Sequence, residues 1–148
     1  MATPSVQILT ERLHFRTQGA GDLVDITAEL GRLLDRTELQ VGNMTVFGVG
    51  STLGITTFEF EPGLIQDMKE LYERLAPSDR SYAHDETWGD ANGFSHLRAA
   101  LQGQSLTIPF EAGRLLLGTW QQVVAAEFDN KPRQREVVVQ FIGKSSER

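Results

Sequence analysis

The residues able to carry chemistry in this chain are few. There are three histidines and no cysteine. The missing thiol excludes disulfides, thiolate metal sites and a cysteine nucleophile. His14 lies between Leu13 and Phe15 in a strand-like run and reads as a structural or surface residue. His84 stands beside Asp85 in a long polar stretch, and His96 falls at the start of a helix-like segment. Helical side chains lean toward the N-terminus, which turns His96 back toward that stretch. The positive end of a helix dipole disfavours an imidazolium there, so His96 is expected to be neutral, the form a general base or metal ligand needs. A catalytic zinc takes three protein ligands and leaves one position for water. Two histidines would therefore need a carboxylate, for which Glu59, Glu61, Asp85 and Asp90 are the candidates. No H-E-x-x-H pattern occurs.

Anion recognition has three candidate places. Gly48-Val49-Gly50-Ser51-Thr52 joins two strand-like runs, and is either an oxyanion cradle with the hydroxyls of Ser51 and Thr52 or a simple bend. It is not a P-loop, because no Gly-Lys-Ser/Thr follows, and Ser51 lacks the glycines of a nucleophile elbow. The helix start at Asn92-Gly93 offers free N–H groups to a phosphate. Arg98 and Arg114 could add charge-assisted forks. Arg133 and Arg135, close together, read as a solvated strand end.

The elements that must position these residues follow from periodicity. Strand-like runs occupy 6–16, 23–26, 44–49, 55–60, 105–110, 118–128 and 134–142. Helical spacing covers 28–36, capped by Thr27, then a segment opened by Pro62-Gly63 and stopped by Pro77, then 94–101 capped by Asn92. The segment 78–93 between the last two reads as a long functional loop. Short connections favour antiparallel pairing. The expectation is one α+β domain over residues 1–148: an antiparallel β-sandwich with two or three packed helices.

Of the 148 residues, 40% are hydrophobic and 23% charged, a composition suited to one globular core and not to a disordered chain. The net charge of -6 argues against nucleic acid or an acidic membrane surface as partner. No apolar run approaches the ~20 residues that span a bilayer. The first five residues lack the pattern of a signal peptide, so a cytoplasmic protein is expected.

From Tyr82 onward an ordered set of motifs stands out: His84-Asp85, Asp90-Ala91-Asn92-Gly93-Phe94-Ser95-His96-Leu97-Arg98-Ala99, Gly103-Gln104-Ser105-Leu106-Thr107-Ile108-Pro109, Gly113-Arg114-Leu115 and Gly118-Thr119-Trp120-Gln121, closing with Val137-Val138-Val139-Gln140. In this set the chain resembles the YjbQ family, secondary thiamine-phosphate synthase-like proteins. The resemblance implies a β-sandwich-based α+β fold, a homotrimer and a histidine-lined, metal-binding pocket. It also implies weak thiamine-phosphate synthase activity, hence a phosphorylated small molecule as substrate. The family's loop and helix histidines map onto His84 and His96, its arginine after glycine onto Arg114, and its acidic residue after the fourth strand onto Glu59. Many members carry a histidine where this chain has Gly50, which removes a third ligand.

Two functions are therefore expected as alternatives. In the first, a divalent metal, zinc by chemistry, sits on His84, His96 and Glu59. His96 then works with Asp85 or Asp90 as the catalytic set, while Ser51, Thr52, Asn92, Arg98 and Arg114 hold the phosphorylated ligand. In the second, the pocket belongs to a non-catalytic trimeric ligand-binding module.

Overall fold

The computed structural model describes residues 3–146 and contains no cis peptide bond among them. Among the described residues eight strands form two antiparallel sheets. The larger sheet has the order β1 (Gln7–Arg16), β8 (Gln134–Lys144), β3 (Val41–Val49), β5 (Ser105–Glu111) and β6 (Arg114–Leu115). The smaller places β7 (Gln122–Glu127) between β2 (Asp22–Asp25) and β4 (Leu53–Phe58). The fold is α+β, with the sheets stacked as a sandwich.

Alternation explains the stacking. In β8 the residues Arg135, Val137, Val139 and Phe141 face inward and are buried, while their neighbours turn outward. From β3, Met44 and Val46 join them, and Leu53, Ile55, Val123 and Ala125 meet them from the smaller sheet. Helix α1 (Thr27–Thr37) closes this core with Leu30, Leu33 and Leu34. The opposite face of the smaller sheet carries helix α2 (Pro62–Leu75) and helix α4 (Gly93–Gln102), with Tyr72, Ala99, Val124, Ala126 and Phe128 as the second core.

Three expectations are corrected. Segment 78–93 is not wholly loop, because it holds a short helix α3 (Ala83–Trp88), which brings the helix count to four among the described residues. Thr27 does not cap α1. Its hydroxyl donates to Asp25 at 2.6 Å and accepts from the Val123 N–H at 2.8 Å, a tie between helix and sheet. Asn92 stands at the N-cap position of α4 but sends its side chain elsewhere, toward Asp129.

The short link between β3 and β4 makes no hairpin. β3 pairs with β8 and β5, and β4 pairs with β7, so Gly50-Ser51-Thr52 carries the chain from one sheet to the other. At this end of the sandwich β3 and β7 finish and β4 and β8 begin.

Candidate functional site

A cavity of about 360 Å³ opens at this crossing. Its wall combines the Gly50–Thr52 link, the α4 start at Asn92 and His96, Asp129 and Arg133 from the β7–β8 connection, and Arg135 from the start of β8.

The helical wall is assembled around Asp85. One carboxylate oxygen accepts the Tyr82 N–H at 2.9 Å and the other accepts the Gly93 N–H at 2.8 Å. Asp85 thus caps α3 and α4 together, and these two bonds hold its carboxyl below the usual carboxylate range. Gly93 permits the approach: a β-carbon there would lie 2.6 Å from Tyr82 Cβ. The result is that His84 and His96 meet, with ring centroids 4.3 Å apart and planes tilted by 39°. Between the two helices Ala91 has φ +54°, a left-handed value costly for a residue with a β-carbon.

Burial first, then the neighbouring His84, push the His96 pKa down against the opposing pull of Asp129 and Asp90. These surroundings favour the neutral form of His96. His84 Nδ1 lies 4.0 Å from Asp85, too far for a hydrogen bond, and is buried without a partner. Asn92 Oδ1 and Ser95 Oγ are buried and unpaired as well. Of these three residues Asn92 lines the cavity, and a buried polar atom without a partner calls for ordered water or a ligand.

The sheet wall is the reverse, an ion network in which every carboxylate oxygen of Glu127 and Asp129 is bonded. Glu127 is completely buried and takes both Nε and Nη2 of Arg135, the Thr17 hydroxyl and the Asp129 N–H. Asp129 accepts from Arg133 Nε at 2.7 Å, the Asn130 N–H at 2.8 Å, the Thr52 hydroxyl at 3.2 Å and Asn92 Nδ2 at 3.4 Å. Burial pushes the Asp129 carboxyl up, but the bonds from Arg133, Asn130 and Asn92 outweigh it and leave it below the usual range.

The structure separates the expected site residues into two groups. Ser51, Thr52, Asp90, Asn92 and His96 line the cavity, with His84 against His96 and Asp85 behind them as the clamp rather than a partner of the imidazole. Glu59, Arg98 and Arg114 do not reach it. Glu59 follows the far end of β4, seven positions beyond Thr52 and so about 23 Å along the strand at ~3.3 Å per residue. Arg114 pairs with Glu111 at the far end of the larger sheet. Arg98 is buried against α2, where Nε and Nη2 donate to the Ala76 carbonyl at 3.0 and 2.9 Å and Nη2 also meets Glu73 at 2.9 Å. The α4 N-terminus, expected to be open to phosphate, already holds the Asp85 carboxylate on the Gly93 N–H.

Arg133 and Arg135 are the converse correction. Arg135 is only 7% exposed, so it is no solvated strand end. The signal was in the alternation, since Arg135 shares the parity of Val137, Val139 and Phe141, as Glu127 shares that of Val123 and Ala125. Among the described residues no three His, Asp or Glu side chains group to hold a metal ion. Two imidazoles, a distant Glu59 and two nearby guanidiniums do not fit a zinc site with three protein ligands.

The sequence profile of UPF0047 protein YjbQ-like matches residues 11–144. A UPF0047 protein of Methanothermobacter thermautotrophicus is 37% identical over 94% of this chain and 95% of its own. One from Archaeoglobus fulgidus is 36% identical over 88% and 98%. The crystal structure of a YbjQ-like protein of unknown function from Sulfolobus solfataricus P2 superposes with a TM-score of 0.88 at 26% identity, covering 95% of this chain and all of that one. The chain belongs to the YjbQ-like UPF0047 family.

Proposed function

We propose that this protein is an enzyme acting on a phosphorylated small molecule by acid–base catalysis, with His96 as the base. One observation carries the reading: a neutral His96 at a cavity, its ring 4.3 Å from that of His84, which has an unpartnered buried nitrogen. The volume, about 360 Å³, suits a small metabolite. In the step envisaged, a nucleophile forms its bond to phosphorus or to the adjacent carbon and gives its proton to His96. Attack at phosphorus breaks the P–O bond to the alcohol or to the next phosphate, attack at carbon breaks the C–O bond to phosphate or pyrophosphate, and the departing oxygen keeps the electron pair. The unpaired Asn92 Oδ1 beside the cavity supports a role for Asn92 as an acceptor that a small rotation of its side chain would expose to the substrate.

The test is turnover of a panel of phosphate and pyrophosphate esters, including the pyrimidine pyrophosphate and thiazole phosphate halves of thiamine phosphate. His96→Ala should lower kcat about 10²–10⁴-fold with the unfolding transition unmoved. Equal turnover in both proteins removes His96 from the chemistry. Binding without turnover on any ester would favour the non-catalytic module.

The assembly proposed is a homotrimer. Supporting it, the outer face of the larger sheet exposes Ile8, Phe47, Val49 and Ile142, side chains suited to burial against another copy. Sedimentation equilibrium checks the mass. No helix among the described residues is long and apolar enough to cross a membrane.

A further inference from the structure

The two arginines of the sheet wall are each tethered by one edge only. Arg135 spends Nε and Nη2 on Glu127 and Thr52, and its Nη1 makes no hydrogen bond among the described residues. That nitrogen points at the Gly50 backbone: a β-carbon on Gly50, whose φ is +143°, would lie 2.8 Å from it. Arg133 spends Nε on Asp129, and its two terminal nitrogens are likewise unbonded. Both residues line the cavity that holds His96.

The carboxylates beneath do not cancel these donors in the direction that matters. Both oxygens of Glu127 and both of Asp129 are occupied by donors from the protein, as described above. They fix the guanidiniums from behind and leave free N–H groups on the cavity side. Fixed, planar, partly desolvated N–H forks are what tetrahedral oxyanions bind best. Asp90 is the one lining carboxylate with no hydrogen bond among the described residues, and it sets the opposing charge at the rim.

We infer that Arg135 Nη1 and the terminal nitrogens of Arg133 form a phosphate subsite, for the terminal phosphate of a monoester or pyrophosphate, and that Gly50 is the residue whose missing side chain admits Arg135 to it. The inference rests on the proposed action on phosphorylated molecules and deepens it. Guanidinium groups, and not a divalent ion, meet the phosphate charge. The geometry assigns Arg133 and Arg135 to binding and Gly50 to positioning.

Calorimetric titration of the full chain with inorganic pyrophosphate, in the presence and absence of a metal chelator, tests this. Wild type should bind, with or without chelator. Arg133→Gln and Gly50→Ala should each weaken binding tenfold or more, whereas Asp90→Asn should tighten it several-fold. Arg133→Gln keeps the falsification open if a β-carbon at position 50 perturbs folding, since the Arg133 side chain is 39% exposed. Failure of wild type to bind, binding abolished by chelator, or unchanged affinity in Arg133→Gln overturns the subsite. His96→Ala separates the two readings: retained pyrophosphate binding with retained turnover sinks only the catalytic proposal. Lost turnover with unchanged binding in Arg133→Gln sinks only the subsite.

Discussion

The two walls of the cavity are built on opposite plans. On the sheet side every carboxylate oxygen of Glu127 and Asp129 is satisfied, and the charges lie among buried strands. On the helical side the polar atoms that matter most, His84 Nδ1, Asn92 Oδ1 and Ser95 Oγ, have no partner. A saturated network resists change and supports a shape. An unsaturated set costs stability and is retained where a ligand completes it. The carboxylates thus hold the sheet wall in shape, while the helical wall keeps buried polar atoms without partners.

Substitutions can break that contrast, and the largest effect belongs to the sheet wall. Arg135→Met leaves the buried Glu127 without its counter-ion and should cost about 3–5 kcal/mol in urea unfolding. Arg135→Met combined with Glu127→Gln should recover much of the loss, because no charge is then stranded. A loss of under 1 kcal/mol in the single variant would make the network ornamental and erase the contrast. Next comes Gly93→Ala, whose β-carbon would collide with Tyr82, at about 1–3 kcal/mol. The same variant should part the two imidazoles, seen as altered histidine cross-peaks by NMR.

Asp85→Asn should lower the urea midpoint by weakening the shared cap. Because the Asp85 carboxyl is held below its ordinary value, its contribution is present above about pH 4 and fades as pH falls through the lowered value. The stability difference between wild type and Asp85→Asn should therefore shrink on acidification below pH 4, and a difference constant down to pH 2 would refute the cap. The smallest effect concerns His96. Its lowered pKa places the acid limb of the rate profile below the ordinary histidine value of about 6.5. Removing the nearby charge in Asp90→Asn should carry that limb further down by a fraction of a pH unit, and an upward move would contradict the electrostatics.

Much of the fold could be read from alternation and helical spacing. The runs now seen as β3, β4, β5, β7 and β8, and helices α1, α2 and α4, follow hydrophobic periods of two and of 3.6. The meeting of His84 with His96 was legible from the placement of one in the segment before a helix and the other in its first turns. Helix α3 was not, because its six residues bury none of their side chains and so leave no periodic trace. Arg98 and Arg135 show why charged residues are harder. Both are buried beside a glutamate, yet Arg98 closes on the Ala76 carbonyl and Arg135 keeps an edge free. No local pattern around Arg98 distinguishes a clamp from a ligand. For Arg135 the inward parity was present, but its charge suggested solvent, and the compensating Glu127 lay on a different sheet.

That last fact bears on how the molecule folds. Glu127 ends a strand of the small sheet and Arg135 begins one of the large sheet, so their ion pair is a rivet driven through two plates. Neither plate alone can close it, and an intermediate with the plates parted but still dry would strand two charges. The rivet thus penalises half-assembled forms and favours all-or-none folding. The cavity, which straddles the same joint, comes into being only when both plates are in place.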